Sequence, residues 1–358
     1  MKIKVLLGMS GGVDSSVSAV LLQKAGYEVI GGFMKNWSEE TANFSSECSW
    51  KTERRDALSV AEQLGIEFHT FDFEIEYRKL VYEYMIAEYK AGRTPNPDIL
   101  CNKYLKFDLF MREAEKLNCS FVATGHYARI HHDANGTAHL LSGIDQIKDQ
   151  SYFLCQLSQE QLQKIIFPIG DLQKKKVREI ALQHKLSTAQ KKDSQGICFV
   201  GKVEMKDFLS ARIQPHSGDI ITTDGQLIGK HDGFEFYTIG QRSGLGVGGG
   251  TPYYVVERRS STNEIIVALG EDDPALFRLE LTATNLTETI TGILDRSVGE
   301  TIAARIRYRQ PLAPCQIRLL DDFRSLVVTF NTPQRAIASG QFIAFYIGEE
   351  LIGSGVIN

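Results

Sequence analysis

The stretch that decides the fold is KIKVLLGMSGGVDSSVSAVLLQKAG, residues 2–26. A short apolar run that ends at Leu7 predicts a buried strand, and SGGVDSS, residues 10–16, follows it almost directly. From about Ser15 to Ala25 the apolar spacing is that of a helix. A strand, a glycine-rich turn and a helix in this order predict an anion site, because backbone N–H groups and the positive end of the helix face one point.

The residues of this turn indicate which anion it binds. Gly11 and Gly12 permit a tight backbone path, and the hydroxyl groups of Ser10 and Ser15 can donate further hydrogen bonds. Asp14 carries a negative charge that would repel a phosphate, so it predicts either a bridging Mg²⁺ or a role at the N-terminus of the helix. The turn therefore predicts a pyrophosphate cradle.

Three other glycine signatures compete with this interpretation. A Walker A loop is excluded, because no lysine follows the glycines. GMSGG, residues 8–12, fits the G-x-S-x-G elbow of hydrolases with Ser10 as nucleophile, and this alternative stays open from the residues alone. GLGVGG, residues 244–249, fits a dinucleotide-binding fingerprint, but a strand-like run follows where that fingerprint needs a helix, which favours a loop.

Short apolar runs alternate with amphipathic stretches through residues 1–125, which predicts a doubly wound, mostly parallel α/β sheet. Beyond Gln214 the chain is rich in Gly and Thr with short strand-like runs, which predicts a small, mostly β middle domain. From about Leu279, alternating runs separated by turn residues predict an antiparallel β-barrel. We place the domain boundaries at residues 1–206, 207–273 and 274–358.

The composition restricts the class of protein further. The formal net charge is −4, yet residues 148–206 hold eleven Lys or Arg against six Asp or Glu, which suits the docking of a polyanion. Lys174, Lys175 and Arg307 are the cations from which we expect phosphate contacts. The apolar run at the start is too short for a signal peptide or a membrane span, so we expect a cytoplasmic protein without a membrane partner.

Six cysteines without a C-x-x-C pair argue against a disulfide framework or a zinc site. For Cys48, Cys119, Cys155 and Cys315 we expect small buried core residues.

Cys101 and Cys198 stand in more distinctive surroundings. Cys101 lies in TPNPDILCNKYLKFD, residues 94–108, where two prolines predict an extended, stiffened loop. The lysines just beyond it favour the thiolate, which is the reactive form of cysteine. Cys198 lies in KKDSQGICFVG, residues 191–201, and from the residues alone it fits a core position equally well.

Two levels of resemblance rest on these motifs. SGGVDS at the start of a βα unit resembles the PP-loop of the ATP pyrophosphatase superfamily, whose members cleave ATP between the α and β phosphates. With TPNPDILCN and DSQGICF it makes the chain similar to the bacterial tRNA-specific 2-thiouridylase family, and GFMKNW, ATGHYAR, KDQSYFL, GQR and RYRQP extend the likeness along the whole chain. The resemblance implies that ATP with Mg²⁺ activates the wobble uridine of tRNA for Lys, Glu and Gln. A persulfide from a cysteine desulfurase relay would then supply the sulfur of 2-thiouridine.

The same resemblance implies roles for individual residues. Cys198 would carry the persulfide, Cys101 would release its sulfur and close a disulfide with Cys198, and Asp98 would act as a general acid or base. The residues implied to hold ATP are Gly8, Met9, Ser10, Gly11, Gly12, Val13, Asp14, Ser15, Met34 and Gly125. Those implied to contact the target base or the rest of tRNA are Asn96, Pro97, Asp98, His126, Lys148, Asp149, Gln150, Arg307, Tyr308, Arg309 and Gln341.

Arg305, Arg307 and Arg309 alternate along TIAARIRYRQ, so we expect one strand to present all three toward phosphates. Two rival functions remain. One is a PP-loop synthetase that transfers nitrogen to a small metabolite, which needs neither Cys101 nor Cys198. The other is a non-catalytic RNA-binding protein, with which the intact SGGVDS turn is at odds.

Overall fold

The computed structural model describes residues 2–38, 49–192, 205–248, 250–321 and 324–358. The strands described in its first part are β1 (Lys4–Gly8), β2 (Glu28–Lys35), β3 (Glu67–Asp72), β4 (Phe121–Thr124), β5 (Ala128–His132), β6 (Ala138–Ser142) and β7 (Ile165–Ile166). Five of them form a sheet in the order β3-β2-β1-β4-β7, and every pairing in it is parallel. The predicted α/β sheet is confirmed.

Helices cover both faces of this sheet. They are α1 (Val13–Lys24), α2 (Ser49–Leu64), α3 (Glu74–Tyr77), α4 (Glu83–Lys90), α5 (Pro97–Leu100), α6 (Phe110–Lys116), α7 (Gln159–Leu162), α8 (Lys174–Gln183), α9 (Met205–Ser210) and, later, α10 (Ile293–Arg296). Two π-helical segments, Arg78–Tyr82 and Cys101–Leu109, make α3 continuous with α4 and α5 continuous with α6. In the part of the chain described here, no helix has the length and apolar character needed to cross a membrane.

Alternate residues of β1 enter two different cores. Val5 and Leu7 pack with the apolar sides of α1, α2 and α8, whereas Leu6 packs with Phe107 and Phe110 on the opposite face. This follows from the two-residue repeat of a strand, and it explains why a strand buried on both faces is a continuous apolar run.

The later strands form the two β domains. The middle domain has the order β10-β11-β8-β9, and the remaining strands form an antiparallel barrel in the order β12-β15-β14-β13-β16-β17, closed by pairing of β12 with β17. Both predicted β architectures are confirmed. Their bounds are β8 (Gly218–Thr222), β9 (Leu227–His231), β10 (Tyr253–Arg259), β11 (Glu264–Leu269), β12 (Phe277–Glu288), β13 (Ile302–Arg305), β14 (Ala313–Leu319), β15 (Leu326–Arg335), β16 (Phe342–Ile347) and β17 (Glu350–Ile357).

The hairpin β5–β6 joins the first domain to the barrel, a connection that the sequence did not predict. β6 pairs antiparallel with β17, where Leu140 lies opposite Leu351. His139 Nδ1 lies 2.7 Å from Glu350 Oε1, and Arg129 donates to Glu349 at 2.7 Å. The barrel sheet therefore begins in a hairpin that lies about 200 residues earlier in the chain, a separation that reading local patterns cannot bridge.

A buried ion pair makes a second connection between these domains. Arg305 Nη1 donates to Asp149 Oδ2 at 3.1 Å, and the two residues are only 6% and 2% exposed. Asp149 also accepts from the backbone N–H groups of Gly143 and Ser151 at 3.0 and 3.1 Å. The guanidinium of Arg305 lies 4.9 Å from the centre of the Tyr346 ring. Asp149 thus connects the segment from Gly143 to Ser151 with β13 of the barrel.

The expected row of three arginines on one strand is wrong. β13 ends at Arg305, which is buried, and the chain then turns so that Arg309 has a φ of +63°. The Gln310 side chain stabilises this turn by accepting from the Ile306 N–H at 3.0 Å. Arg307 and Arg309 are therefore exposed residues of a turn.

Asp149→Ala leaves the Arg305 guanidinium buried without its carboxylate. We expect the free energy of unfolding to fall by about 3 to 5 kcal/mol, the usual cost of orphaning one member of a buried ion pair. Urea unfolding measures the change. Asp149→Ala combined with Arg305→Met should recover part of the loss, since no unpaired charge remains. If the loss of stability in the double variant equals the sum of the losses in Asp149→Ala and in Arg305→Met alone, the pair does not interact.

The hydrogen bond to Glu350, with a further contribution from Asp133, raises the pKa of His139 above its ordinary 6.5. The contact is therefore fully stabilising below the unfolded-state pKa and loses its contribution as pH rises through the folded-state pKa. His139→Gln should lower the melting temperature more at about pH 5.5 than at about pH 8.5. His132→Gln, at the exposed end of the same hairpin, is the control. A pH-independent effect of His139→Gln would contradict the expectation.

Candidate active site

The carboxyl ends of β1 and β4 meet where the strand order of the parallel sheet reverses, which is the position at which α/β sheets bind ligands. Gly8 ends β1 and lies opposite Thr124, the last residue of β4. Residues 9–12 form the turn into α1, and the Met9 N–H donates to the Gly32 carbonyl of β2 at 2.8 Å. The turn is thereby anchored to the sheet at its ligand position.

Hydroxyl groups close the turn from inside. Ser15 Oγ donates to the Gly12 carbonyl at 3.1 Å and accepts from the Ser10 N–H at 3.3 Å. Ser16 Oγ donates to the same carbonyl at 2.8 Å and accepts from Thr188 Oγ1 at 2.9 Å. Gly12 is the N-cap of α1 and has no side chain to cap the first N–H groups of the helix. Such N–H groups, with the helix dipole, suit an anion.

Two glycines are required here by close approach. Gly11 has a φ of +72°, and a β-carbon on it would lie 2.2 Å from the Glu53 carbonyl oxygen of α2. A β-carbon on Gly125, just after β4, would lie 2.8 Å from the backbone nitrogen of Ser15. The main chain of the turn is therefore clamped between α2 and the segment that leaves β4.

The charge of Asp14 is balanced by a lysine. Lys174 Nζ donates to both carboxylate oxygens of Asp14, at 2.7 and 2.8 Å, and the Tyr127 hydroxyl donates to one of them at 2.8 Å. The Lys174 side chain is 12% exposed. In contrast with the expectation that it docks tRNA, Lys174 lies beside the turn and not on an exposed lysine face.

A second lysine binds a main-chain carbonyl of the turn. Lys191 Nζ donates to the Gly11 carbonyl at 3.0 Å and to Asp56 Oδ2 at 2.6 Å. Burial raises the pKa of the Glu53 carboxyl; the positive charge of Lys191 opposes this rise, and the negative charge of Asp56 adds to it. Gly11 is therefore held both by packing and by a charged hydrogen bond.

Sequence reasoning missed Tyr127, Lys174 and Lys191 as parts of this site. A usable signal existed for Tyr127, because it stands two residues after Gly125 in ATGHYAR. Lys174 and Lys191 follow Tyr127 by about 50 and 60 positions in the chain, and only the fold brings them to the turn.

The geometry fits a nucleotide with a polyphosphate. The turn supplies the anion cradle, and Met34 lies next to it near the end of β2, 7% exposed, with its Cε 3.3 Å from a β-carbon placed on Gly8. Among the described residues, no group of three or more His, Cys, Asp or Glu side chains could hold a metal ion. An Mg²⁺ that comes with ATP takes most ligands from phosphates and water and needs only one or two carboxylates, a requirement that Asp14 fits.

Cys101 lies inside a helix, and the expectation of an extended loop is wrong. Asn96 Oδ1 accepts from the Ile99 N–H at 3.3 Å and caps α5, while Pro97 occupies the first helical position, where its fixed φ favours a helix. The π-helical segment begins at Cys101, whose side chain is 0% exposed. The two prolines therefore start a helix that buries the thiol.

The following residues fasten this helix to the chain that precedes the barrel. Asn102 Nδ2 donates to the Phe153 carbonyl at 2.9 Å, and Lys103 Nζ donates to Gln156 Oε1 at 2.9 Å. Burial lowers the pKa of Lys103. Within the described residues, the buried Oδ1 of Asn102 accepts no hydrogen bond. A wide helical turn with an unsatisfied buried polar atom is an arrangement often found at functional sites.

The segment before Cys101 is held by both later domains. Gln341 Nε2 donates to the carbonyls of Thr94 and Pro95 at 2.9 and 3.1 Å, and its Oε1 lies 3.5 Å from Asn96 Nδ2. From the middle domain, Arg258 donates to Thr94 Oγ1 at 3.1 Å. Burial lowers the pKa of Arg258 to about 10, so it remains charged at neutral pH. Asn96 and Gln341, both implied to contact tRNA, are thus brought together.

Two residues implied to contact tRNA are internal. Asp149 forms the buried pair described above. His126 is 8% exposed, with Nδ1 2.7 Å from Thr124 Oγ1, and burial lowers its pKa well below the ordinary value. Gln150, half-buried, accepts from the Tyr127 N–H at 3.1 Å and so supports the ring that reaches Asp14. These three side chains therefore make contacts within the protein.

The turn of the RYR motif lies next to the helix of Cys101. Tyr308 packs on Phe153 with ring centres 4.5 Å apart, and the Phe153 carbonyl is the one that accepts from Asn102. Arg309 places its guanidinium 5.1 Å from the centre of the Tyr308 ring, and Arg307 donates to a carbonyl of β15 at 2.7 Å. Both arginines remain exposed beside the buried thiol helix.

Three other cysteines behave as core residues, as expected. Cys119, Cys155 and Cys315 are buried free thiols. Burial raises the pKa of Cys155 and that of Cys315 to about 12, which keeps both protonated at neutral pH. Cys48 and Cys198 lie outside the described residues.

Family models match three consecutive parts of the chain. Residues 3–202 match the model described as tRNA methyl transferase HUP domain. Residues 206–269 match tRNA methyl transferase PRC-barrel domain, and residues 290–357 match aminomethyltransferase beta-barrel domain. A solved structure titled "Crystal structure of a 4-thiouridine synthetase - RNA complex with bound ATP" is similar to 56% of this chain and 45% of its own, with 17% identity and a TM-score of 0.33.

Curated relatives match the chain over its full length. The protein from Flavobacterium johnsoniae is 46% identical and covers 99% of this chain and 100% of its own. Those from Bacillus velezensis and Tolumonas auensis are 47% and 48% identical, each over 99% of this chain and 95% and 96% of their own. All three are named tRNA-specific 2-thiouridylase MnmA. At this identity and coverage, the chain belongs to the tRNA-specific 2-thiouridylase family.

Proposed function

We propose that this chain is a tRNA-uridine 2-sulfurtransferase that uses ATP to thiolate the wobble uridine of tRNA for Lys, Glu and Gln in the cytoplasm. The observation that carries the proposal is the full-length likeness to relatives of that name, joined to a glycine turn at the switch point of the sheet. That likeness extends over both cysteine motifs, which a synthetase that aminates a small metabolite would not need.

The turn would hold the β and γ phosphates of ATP, and Met34 would lie near its adenine. The N–H groups at the start of α1 would bind both of these phosphates, which suits the release of pyrophosphate as one group. When bound, ATP supplies the adenylation that converts the 2-oxygen of the uracil into a good leaving group. Asp14 would hold Mg²⁺ together with phosphate oxygens.

The target base would lie near Asn96, Pro97 and Asp98, with the half-buried Asp98 carboxyl moving the proton. A relay from a cysteine desulfurase would load Cys198 with a persulfide. The outer sulfur bonds to C2 of the uracil as AMP leaves, and the bond between the two sulfurs breaks as Cys101 attacks the inner one. The resulting Cys101–Cys198 disulfide is reopened by two electrons from an external dithiol.

Away from the target base, tRNA would contact six further residues that the resemblance implies and that are at least partly exposed. These are Lys148, Gln150, Arg307, Tyr308, Arg309 and Gln341. Several cations of the basic segment 148–206 are engaged in ion pairs within the protein, among them Lys164 with Glu115 and Lys206 with Asp232. The exposed arginines of the RYR turn are therefore better placed for phosphate than the local excess of lysine suggests.

With tRNA, wild-type protein should convert ATP labelled at the α-phosphate into AMP and pyrophosphate. Gly11→Ala should abolish turnover, because the new β-carbon meets the Glu53 carbonyl oxygen at 2.2 Å. Gly26→Ala is a matched control, since Gly26 also has a positive φ, +90°, but has open space around it. ADP as the product of wild-type enzyme would refute the pyrophosphatase assignment, and an active Gly11→Ala would remove the turn from the site.

The two cysteines should separate the steps of sulfur transfer. Cys198→Ser should lose persulfide loading, whereas Cys101→Ser should load sulfur without delivering it, and both should still bind ATP. Mass spectrometry of the protein and of tRNA nucleosides measures loading and 2-thiouridine. Cys119→Ala, which removes a buried core thiol, should leave thiolation within about twofold of wild type. Thiolation at the wild-type rate by either serine variant would exclude the two-cysteine mechanism.

A further inference from the structure

Lys174 is the first residue of α8, and its side chain reaches Asp14 beside the turn. Its N–H donates to Asp145 Oδ2 at 2.9 Å, while Nζ reaches both oxygens of Asp14. The ammonium also lies 5.7 Å from the centre of the Tyr127 ring. Lys175, the next residue, is exposed. Adjacent lysines of one helix therefore have different surroundings.

The packing of α1 against α8 does not require this ion pair. Val17 and Val20 of α1 and Val177 and Ala181 of α8 belong to one apolar core on that face of the sheet. The pair is only partly buried, since the Lys174 and Asp14 side chains are 12% and 31% exposed, and an ion pair in contact with solvent contributes little to stability. A lysine and a carboxylate at this contact therefore call for a reason beyond holding the helices together.

The position of Asp14 supplies that reason. Asp14 lies in the first turn of α1, directly after the turn that presents its N–H groups to an anion. A polyphosphate placed there would meet the negative charge of Asp14 at short range, where the low local dielectric strengthens repulsion. An ammonium group has three N–H donors and can bridge a carboxylate and a phosphate oxygen. A lysine held within 2.8 Å of this carboxylate thus makes the position compatible with a pyrophosphate group.

We propose that Lys174 is a ligand of the β and γ phosphates, whose ammonium shifts from Asp14 alone to a bridge between Asp14 and the pyrophosphate when nucleotide binds. This rests on the proposed use of ATP and adds a residue to it. Lys174 then serves the release side of the reaction as well, because it binds the product pyrophosphate and not AMP. Lys191 has a different role, since its ammonium holds the Gly11 carbonyl and shapes the turn from behind.

The test is a titration of the magnesium complexes of pyrophosphate and of a non-cleavable ATP analogue, and of AMP, by calorimetry. Lys174→Met should weaken binding of pyrophosphate and of the analogue by about tenfold or more, the loss of one charge-assisted hydrogen bond, and leave AMP within about twofold. Lys175→Met makes the same charge change one residue away and should bind all three ligands like wild type. Lys174→Arg should restore part of the pyrophosphate affinity.

Asp14→Asn combined with Lys174→Met separates the lysine from the exposed charge of its partner. If the double variant binds pyrophosphate more weakly than Asp14→Asn alone, the missing ammonium is the cause, as proposed. Wild-type affinity in Lys174→Met or in the double variant, equal losses for AMP and pyrophosphate, or an equal loss in Lys175→Met would overturn the proposal. Nucleoside analysis of tRNA by wild-type protein is scored separately. Absence of 2-thiouridine there, with lysine-dependent pyrophosphate binding intact, would count against the proposed function and not against Lys174.

Discussion

The close approach of Gly125 to the main chain of Asp14 and Ser15 is the constraint on which the rest of the site depends. It sets the end of β4 directly against the glycine turn, so that no side chain can stand between them. The residues that follow Gly125 then inherit fixed positions: His126 packs against Phe107 of the Cys101 helix, and Tyr127 reaches Asp14. One backbone contact thus relates the anion turn to the helix that carries the thiol.

Both β domains also contact the segment that precedes Cys101. The side chain of Gln341, from the barrel, and that of Arg258, from the middle domain, converge on Thr94, a few residues before Cys101. The half-buried Arg258 binds the Thr94 hydroxyl and Gln341 binds the Thr94 and Pro95 carbonyls, and such hydrogen bonds are directional and costly to leave unmade. The segment that precedes the thiol is therefore positioned by all three domains together, which gives a reason for a catalytic sheet to carry two appended β units.

The sequence was sufficient wherever the information is local. SGGVDSS after an apolar run specified the turn, and the two-residue alternation of later runs specified the barrel. It was insufficient where a local signal has two meanings: the prolines around Asn96 can stiffen a loop or start a helix, and the capping bond of Asn96 to Ile99 decided for the helix. It had no access to contacts made across the chain, such as Lys174 with Asp14 or β6 with β17, because such pairs leave no periodic trace.

The burial of Cys101 bears on how sulfur transfer can be controlled. The Cys101 side chain is part of a continuous helix and has no exposed surface, so it can meet neither a persulfide nor a base until that helix changes. Two features of this helix are often found at functional sites: it is wound as a π-helix, and it leaves Asn102 Oδ1 without a hydrogen bond among the described residues. Its outer contacts run through Phe153 to Tyr308, and through Asn96 to Gln341, which are residues of the proposed tRNA surface. Binding of tRNA to that proposed surface would therefore act on the same contacts that keep the Cys101 thiol buried.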